Sequence, residues 1–284
     1  MTDPERTLLL CTTGTPGGLP ALTYGVWLAG RLNLPVTVLG IVENEARTAA
    51  VERALQAVQA QLEAAGIVHD VRLCTGAGCQ VISAEAAPGH HLVVMGSLGG
   101  PRWRDWLQGP SARRLLPDLK VPLLFAPRAH CQMDRILVCT GALEHATSAE
   151  SWAVQLARRT NAALTVLHVA QTVFYHYPTS IEIETHGRDL LKADVPQARH
   201  LRALMEHAEA LGVKAMLKIQ PGTVVHEIIA QARRGQHDLV VMGSKHSSHS
   251  LRSRSLPDVT AEVMEALDVP VLAVKADHVC TLPD

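Results

Sequence analysis

Three glycines and two serines between residues 96 and 111 are spaced to do one kind of chemistry. The run is Gly96-Ser97-Leu98-Gly99, then nine intervening residues, then Gly109-Pro110-Ser111. A residue without a Cβ lets the backbone come close to a ligand and turn its N–H groups toward it. A helix N-terminus adds unpaired donors and a partial positive charge of about 0.5. Donors of this kind suit a phosphate, and the hydroxyls of Ser97 and Ser111 extend the set. One such glycine would be ordinary in a strand-to-helix turn; three at this spacing favour a ligand. Pro110 fits the first turn of a helix, where its missing N–H costs nothing.

Stepping outward, Leu92-Val93-Val94-Met95 before the loop is a short continuous apolar run, as expected of a strand buried on both faces of a parallel sheet. A helical pattern over Ala112 to Leu116 follows it. Upstream, strands are expected at Thr7 to Thr13, Pro35 to Val42 and Ile67 to Leu73, and a last one at Val121 to Ala126. Helices are expected over Leu19 to Leu32, Arg47 to Ala65 and Cys79 to Ala87, the second stopped by Gly66. Alternating strands and helices predict an α/β, doubly wound, five-stranded parallel sheet with helices on both faces. Ligands sit at the carboxyl ends of such strands, where Gly96 falls.

The pattern then repeats. Arg135 to Gly141 echoes Thr7 to Gly14, Ala163 to Val169 echoes the second strand, and Leu239-Val240-Val241-Met242-Gly243-Ser244 repeats Leu92 to Ser97 residue for residue. Two tandem domains, 1–130 and 131–284, account for nearly the whole chain. The second carries an insertion near 171–195, with Phe174, Tyr175 and Tyr177 in a chain whose aromatic content is only 3%. That segment either packs across the domain interface or lids a pocket for a non-nucleotide ligand.

The spacing of Gly96, Gly99, Gly109 and Ser111 resembles the nucleotide-binding signature of the universal stress protein family, in its tandem form. The resemblance implies a cytoplasmic stress-response regulatory protein that binds ATP, with Mg2+ on the phosphates, in its N-terminal domain. It implies contacts from Thr13, Ile41, Gly96, Ser97, Gly99, Gly109, Pro110 and Ser111, with the end of the second strand meeting the base through backbone atoms. It also implies that the halves pair through their last strands as an internal pseudo-dimer, with a homodimer as a further step. Thr13 before Gly14, like Thr140 before Gly141, stands where the family usually has Asp.

The second half departs further, with His246 and Leu256-Pro257-Asp258 in place of Gly99 and Gly109-Pro110-Ser111. Asp258 at a helix start would accept from the first N–H groups and repel a phosphate. One nucleotide site per chain is therefore expected. Arg252 and Arg254 offer a competing, side-chain route to an anion, against a solvated loop.

No catalytic residue is assigned. Asp105 is the only acid between Gly96 and Ser111, so binding is favoured over efficient turnover; the alternatives are a slow nucleotide hydrolase using Asp105 or Asp118, and a nucleotide-free small-ligand sensor or scaffold. Neither a G-x-x-x-x-G-K-[ST] loop nor a G-x-S-x-G elbow is present. Gly76-Ala77-Gly78 opens a helix after a strand but lacks the third glycine of a dinucleotide fingerprint. Of 15 histidines, His90-His91, His168 with His176, and His246 with His249 are the metal candidates, and none has a known ligand spacing. With 26 basic and 27 acidic residues the formal charge is -1, which gives no general pull toward nucleic acid or an anionic membrane. The six cysteines are expected to be reduced and mostly buried.

Overall fold

The structure is a computed structural model and describes residues 7–86, 89–98, 114–142, 146–170, 194–244, 259–276, 278–280 and 282. In the first half β1 (Thr7–Thr12), α1 (Leu19–Leu32), β2 (Val36–Val42), α2 (Thr48–Ala64), β3 (His69–Thr75), α3 (Gly78–Glu85), β4 (His90–Met95) and β5 (Leu123–Phe125) follow in order. The second half has β6 (Arg135–Thr140), α4 (Thr147–Thr160), β7 (Ala163–Ala170), α5 (Pro196–Ala210), β8 (Ala215–Pro221), α6 (Val224–Arg234), β9 (Leu239–Ser244), α7 (Val259–Ala266) and β10 (Val271–Lys275).

The expected pair of five-stranded sheets is present, joined into one. The ten strands run β3-β2-β1-β4-β5-β10-β9-β6-β7-β8. Every pairing inside a half is parallel. Only β5 and β10 meet antiparallel, with Leu272 opposite Leu124. The halves are thus related by a pseudo-two-fold axis through that seam, the internal pairing that the resemblance implied.

Alternation along the strands divides the core into two layers. Leu8, Leu10, Val36, Val38, Ile136, Val138, Leu164 and Val166 face α1, α2, α4 and α5. Leu9, Leu39, Ile41, Leu137 and Leu167 pack on the other face. The first layer runs unbroken across both halves, and α1 and α4 clasp each other there. Arg31 near the end of α1 donates to the Thr160 carbonyl (3.2 Å), and Arg159 near the end of α4 donates to the Leu32 carbonyl (3.2 Å). Each guanidinium meets the negative end of the opposite helix.

The third strand begins two residues later than the apolar pattern implied. Gly66, at φ +65°, ends α2 in a left-handed turn, and Ile67 N–H reaches back to Leu62 O (2.9 Å). Ile67 is spent on that cap, so pairing starts at Val36 opposite His69. Gly212 closes α5 in the same way, with Val213 N–H on Ala208 O (2.9 Å). The cysteines are all free, but only Cys11 is buried; Cys131 in the linker is exposed, and the other four lie between. No described helix is long and apolar enough to cross a membrane. The aromatic insertion and the first two residues of the helix expected over Ala112 to Leu116 fall outside the described residues.

Candidate functional site

In the first half the strand order turns around between β1 and β4, so the loops leaving these two strands flank the crevice where α/β sheets take ligands. Both loops are small-residue segments. Thr13-Gly14-Thr15-Pro16-Gly17-Gly18 leaves β1, and Gly96-Ser97-Leu98 leaves β4. Gly99, Gly109, Pro110 and Ser111 lie outside the described residues, as do Trp103, Trp106 and Asp105.

The two described loops are stitched together. Thr13 Oγ1 donates to the Leu98 carbonyl, Thr15 Oγ1 to the Ser97 carbonyl (2.8 Å), and Ser97 N–H to the Gly17 carbonyl (3.2 Å). The approach is close enough that a Cβ on Gly96 would stand 2.6 Å from Gly17 O. Gly96 is therefore required by this backbone contact, whatever else the loop does. Thr13 is buried and its donor is spent on Leu98, while Ser97 keeps its side chain partly exposed at the mouth. Ile41 is fully buried, with its side chain in the core.

Gly76-Ala77-Gly78 is explained by a carboxylate rather than a dinucleotide. Glu43, just past β2, accepts from Gly78 N–H (2.8 Å) and fills the N-terminus of α3. A Cβ on Gly78 would stand 2.9 Å from that carboxylate oxygen.

The second half corrects one alignment. Thr140-Gly141 was set beside Thr13-Gly14, but the hydrogen bonds equate Thr140 with Thr12. Gly14 N–H donates to Thr12 Oγ1 (3.1 Å) and Ala142 N–H to Thr140 Oγ1 (2.8 Å), with φ +67° at Gly14 and +54° at Ala142. The left-handed residue needed for the turn is Ala142, and Gly141 was a misleading marker.

Around Thr140 the second half gathers ionisable side chains that the sequence reading missed as a group. Thr140 Oγ1 donates to Glu150 Oε1 from β6 to α4. His200 on α5 places Nε2 at 2.9 and 2.8 Å from the two Glu150 oxygens. His168 on β7 holds Nδ1 3.0 Å from the Thr140 carbonyl. The first half has nothing of the kind, for Thr12 is opposite Gly40 where Thr140 is opposite His168. Glu150 takes the α1 position of Leu22, and His200, counting back from the glycines that end the helices, that of Ala54. A repeat superposition was the available signal, since each is a polar residue at an apolar position of the pattern. Ser244, the counterpart of Ser97, is buried with its hydroxyl unpaired among the described residues.

His168 was a metal candidate with His176, which lies outside the described residues; so do His246, His249, Arg252, Arg254 and Asp258. Among the described residues no three His, Cys, Asp or Glu side chains are grouped to hold a metal ion.

Two doubly wound α/β halves, each with a crevice at the turn-around of its strand order, define a tandem α/β protein. A family model described as the universal stress protein family matches residues 133–275, half of the chain. The chain belongs to the universal stress protein family. Among solved structures, a universal stress protein from Archaeoglobus fulgidus DSM 4304 is similar over 95% of this chain and 96% of its own, at 20% identity and a TM-score of 0.72. A functionally unknown protein from Pseudomonas aeruginosa PAO1 is similar over 95% and 92%, at 18% identity and a TM-score of 0.66. Both likenesses are of fold and extend over the two halves together. The sequence matches no curated protein.

Proposed function

We propose that this chain is a cytoplasmic stress-response regulator that binds ATP, with Mg2+ on the phosphates, at one site in its first half. The observation that carries the reading is the position of the glycine run: Gly96 leaves β4 at the crevice where the strand order turns around. The crevice suits an anion, because the Thr13 to Gly18 loop brings hydroxyls and glycines and no acidic side chain. Glu43, which stands beside Gly78, is occupied at the N-terminus of α3.

In this reading Gly99 and Gly109 supply backbone N–H groups to the phosphates, Pro110 starts the following helix, and Ser97 and Ser111 donate hydroxyl bonds. Ile41 meets the base through its backbone. Thr13 serves by holding the β1 loop against Leu98, since its hydroxyl proton is already committed there. With no base or water-orienting carboxylate in the described part of the crevice, binding is the function and hydrolysis is at most slow.

Isothermal titration of ATP with Mg2+ into the full chain tests this. Saturable binding that disappears in the Gly99→Ala/Gly109→Ala variant is expected. Undetectable binding to the wild type, or undiminished binding to the variant, would reject it.

A further inference from the structure

We infer that the chain forms a two-fold dimer through the outer flank of its second half, with α5 of each copy seated in the groove beside α5 of the other. The groove is open and holds about 640 Å³. It runs between α5 and β8, the strand that ends the sheet, and all of its lining residues are described. Val213 is buried and Met205 and Leu217 are half-buried, so they form its floor, whereas Arg202, Glu206 and Glu209 are exposed along its rim. An apolar floor under a charged rim is the anatomy of a protein interface.

Charge order along α5 points to the occupant. A helix is stabilised by acidic residues near its start and basic residues near its end. α4 follows that rule, with Glu150 in its first turn and Arg158 and Arg159 in its last, and α6 does so with Glu227 and then Arg233 and Arg234. α5 reverses it. Its first turn has no acid, and Arg199 and Arg202 precede Glu206 and Glu209. Arg202 before Glu206 is also the less favourable order for a pair four residues apart.

An antiparallel copy turns this order to use. A two-fold axis passing between Met205 and Glu206 sets Arg202 of one copy opposite Glu209 of the other, twice over, and opposes the two helix dipoles. With exposed Lys214 the rim holds two charges of each sign, so the patch is complementary to itself. Shape agrees, because α5 is a ridge bordering its own groove, and one rotation places each ridge in the other copy's groove.

The first half does not repeat the surface. Counting back from Gly66 and Gly212, Gln56 and Gln59 take the places of Arg202 and Met205, and Gln59 Nε2 donates along its own helix to Glu63 Oε1 (3.0 Å). One such surface per chain closes a dimer and builds no polymer.

Sedimentation equilibrium of the full chain, with a thermal melt of each variant beside it, is the test. A reversible equilibrium between the single chain and its dimer is expected, weakened by salt. Arg202→Glu sets two pairs of carboxylates against each other and should raise the dissociation constant at least about tenfold. Arg202→Glu/Glu209→Arg restores the pairing in swapped order and should return the constant to near the wild-type value. Arg202→Gln/Met205→Gln, which copies the first half and so keeps the fold, should leave the chain monomeric. A wild-type chain that stays monomeric at every concentration would overturn the inference and leave the groove to a different partner. A dimer indifferent to Arg202→Glu, or one that the swapped variant fails to restore, would overturn it as well.

Discussion

Around the end of β1 the first half sets Gly40, Leu22 and Ala54; around the end of β6 the second half sets His168, Glu150 and His200. Strand order, helix caps and even the reciprocal arginines are shared. A duplicated backbone has kept its architecture while the described residues around the two strand ends came to differ in polarity. The described loops of the first are glycine and threonine segments with no carboxylate. The second buries Glu150 against Thr140 and His200.

The largest test of that contrast is His200→Ala. Glu150 would lose its imidazole partner in a site where it is 2% exposed, and a destabilisation of about 3 kcal/mol is expected by chemical denaturation. Adding Glu150→Leu should reverse the loss, because the pair then matches Leu22 and Ala54. A double variant no more stable than His200→Ala would show that the apolar solution is not available to the second half.

A second comparison uses the matched glycines after β4 and in β9. Gly96→Ala drives a Cβ to 2.6 Å from Gly17 O, whereas among the described residues the nearest atom to a Cβ on Gly243 is Val274 O at 4.0 Å. Overpacking should cost the first about 1–3 kcal/mol, and the second should stay within about 0.5 kcal/mol. Equal melting temperatures for the two variants would remove the claim that the first crevice depends on loop-to-loop contact.

Much of this was legible in the sequence. The apolar runs, the helix-ending glycines and the residue-for-residue repeat of Leu92 to Ser97 at Leu239 to Ser244 specify two parallel units in order. Element ends were less so, because Ile67 looks like a strand residue until its N–H is needed for the α2 cap. The turn after β6 was misread since an alanine, not the adjacent Gly141, takes the left-handed conformation. The Glu150 cluster was harder still: its members come from β6, α4, β7 and α5, and each looks like an ordinary polar residue until the repeats are superposed. Gly96 was legible as special, but its contact with Gly17 is a tertiary fact.

Two smaller effects test what the halves share. Arg31→Ala and Arg159→Ala each remove one bond to the opposite helix end, and each should cost about 0.5–1 kcal/mol in denaturation experiments. No measurable cost for either would contradict the clasp between α1 and α4.

The matched histidines at the start of β4 and just before β9 give the smallest effect. Burial holds His90 and His237 below the ordinary imidazole value of 6.5. The unfolded chain therefore binds more protons than the native one as pH falls through that value. The stability each contributes is fully present above about 6.5 and is lost as pH falls through the lowered native value. His90→Gln and His237→Gln should each flatten the acid limb of the stability curve; an unchanged limb in both would contradict the assignment.

The most direct test of the divergence between halves is the number of ATP molecules carried by one chain, counted by native mass spectrometry with Mg2+ present. The account predicts one, absent from Gly99→Ala/Gly109→Ala and retained by Glu150→Leu/His200→Ala. Two per chain, or one that persists in the glycine variant, would contradict it.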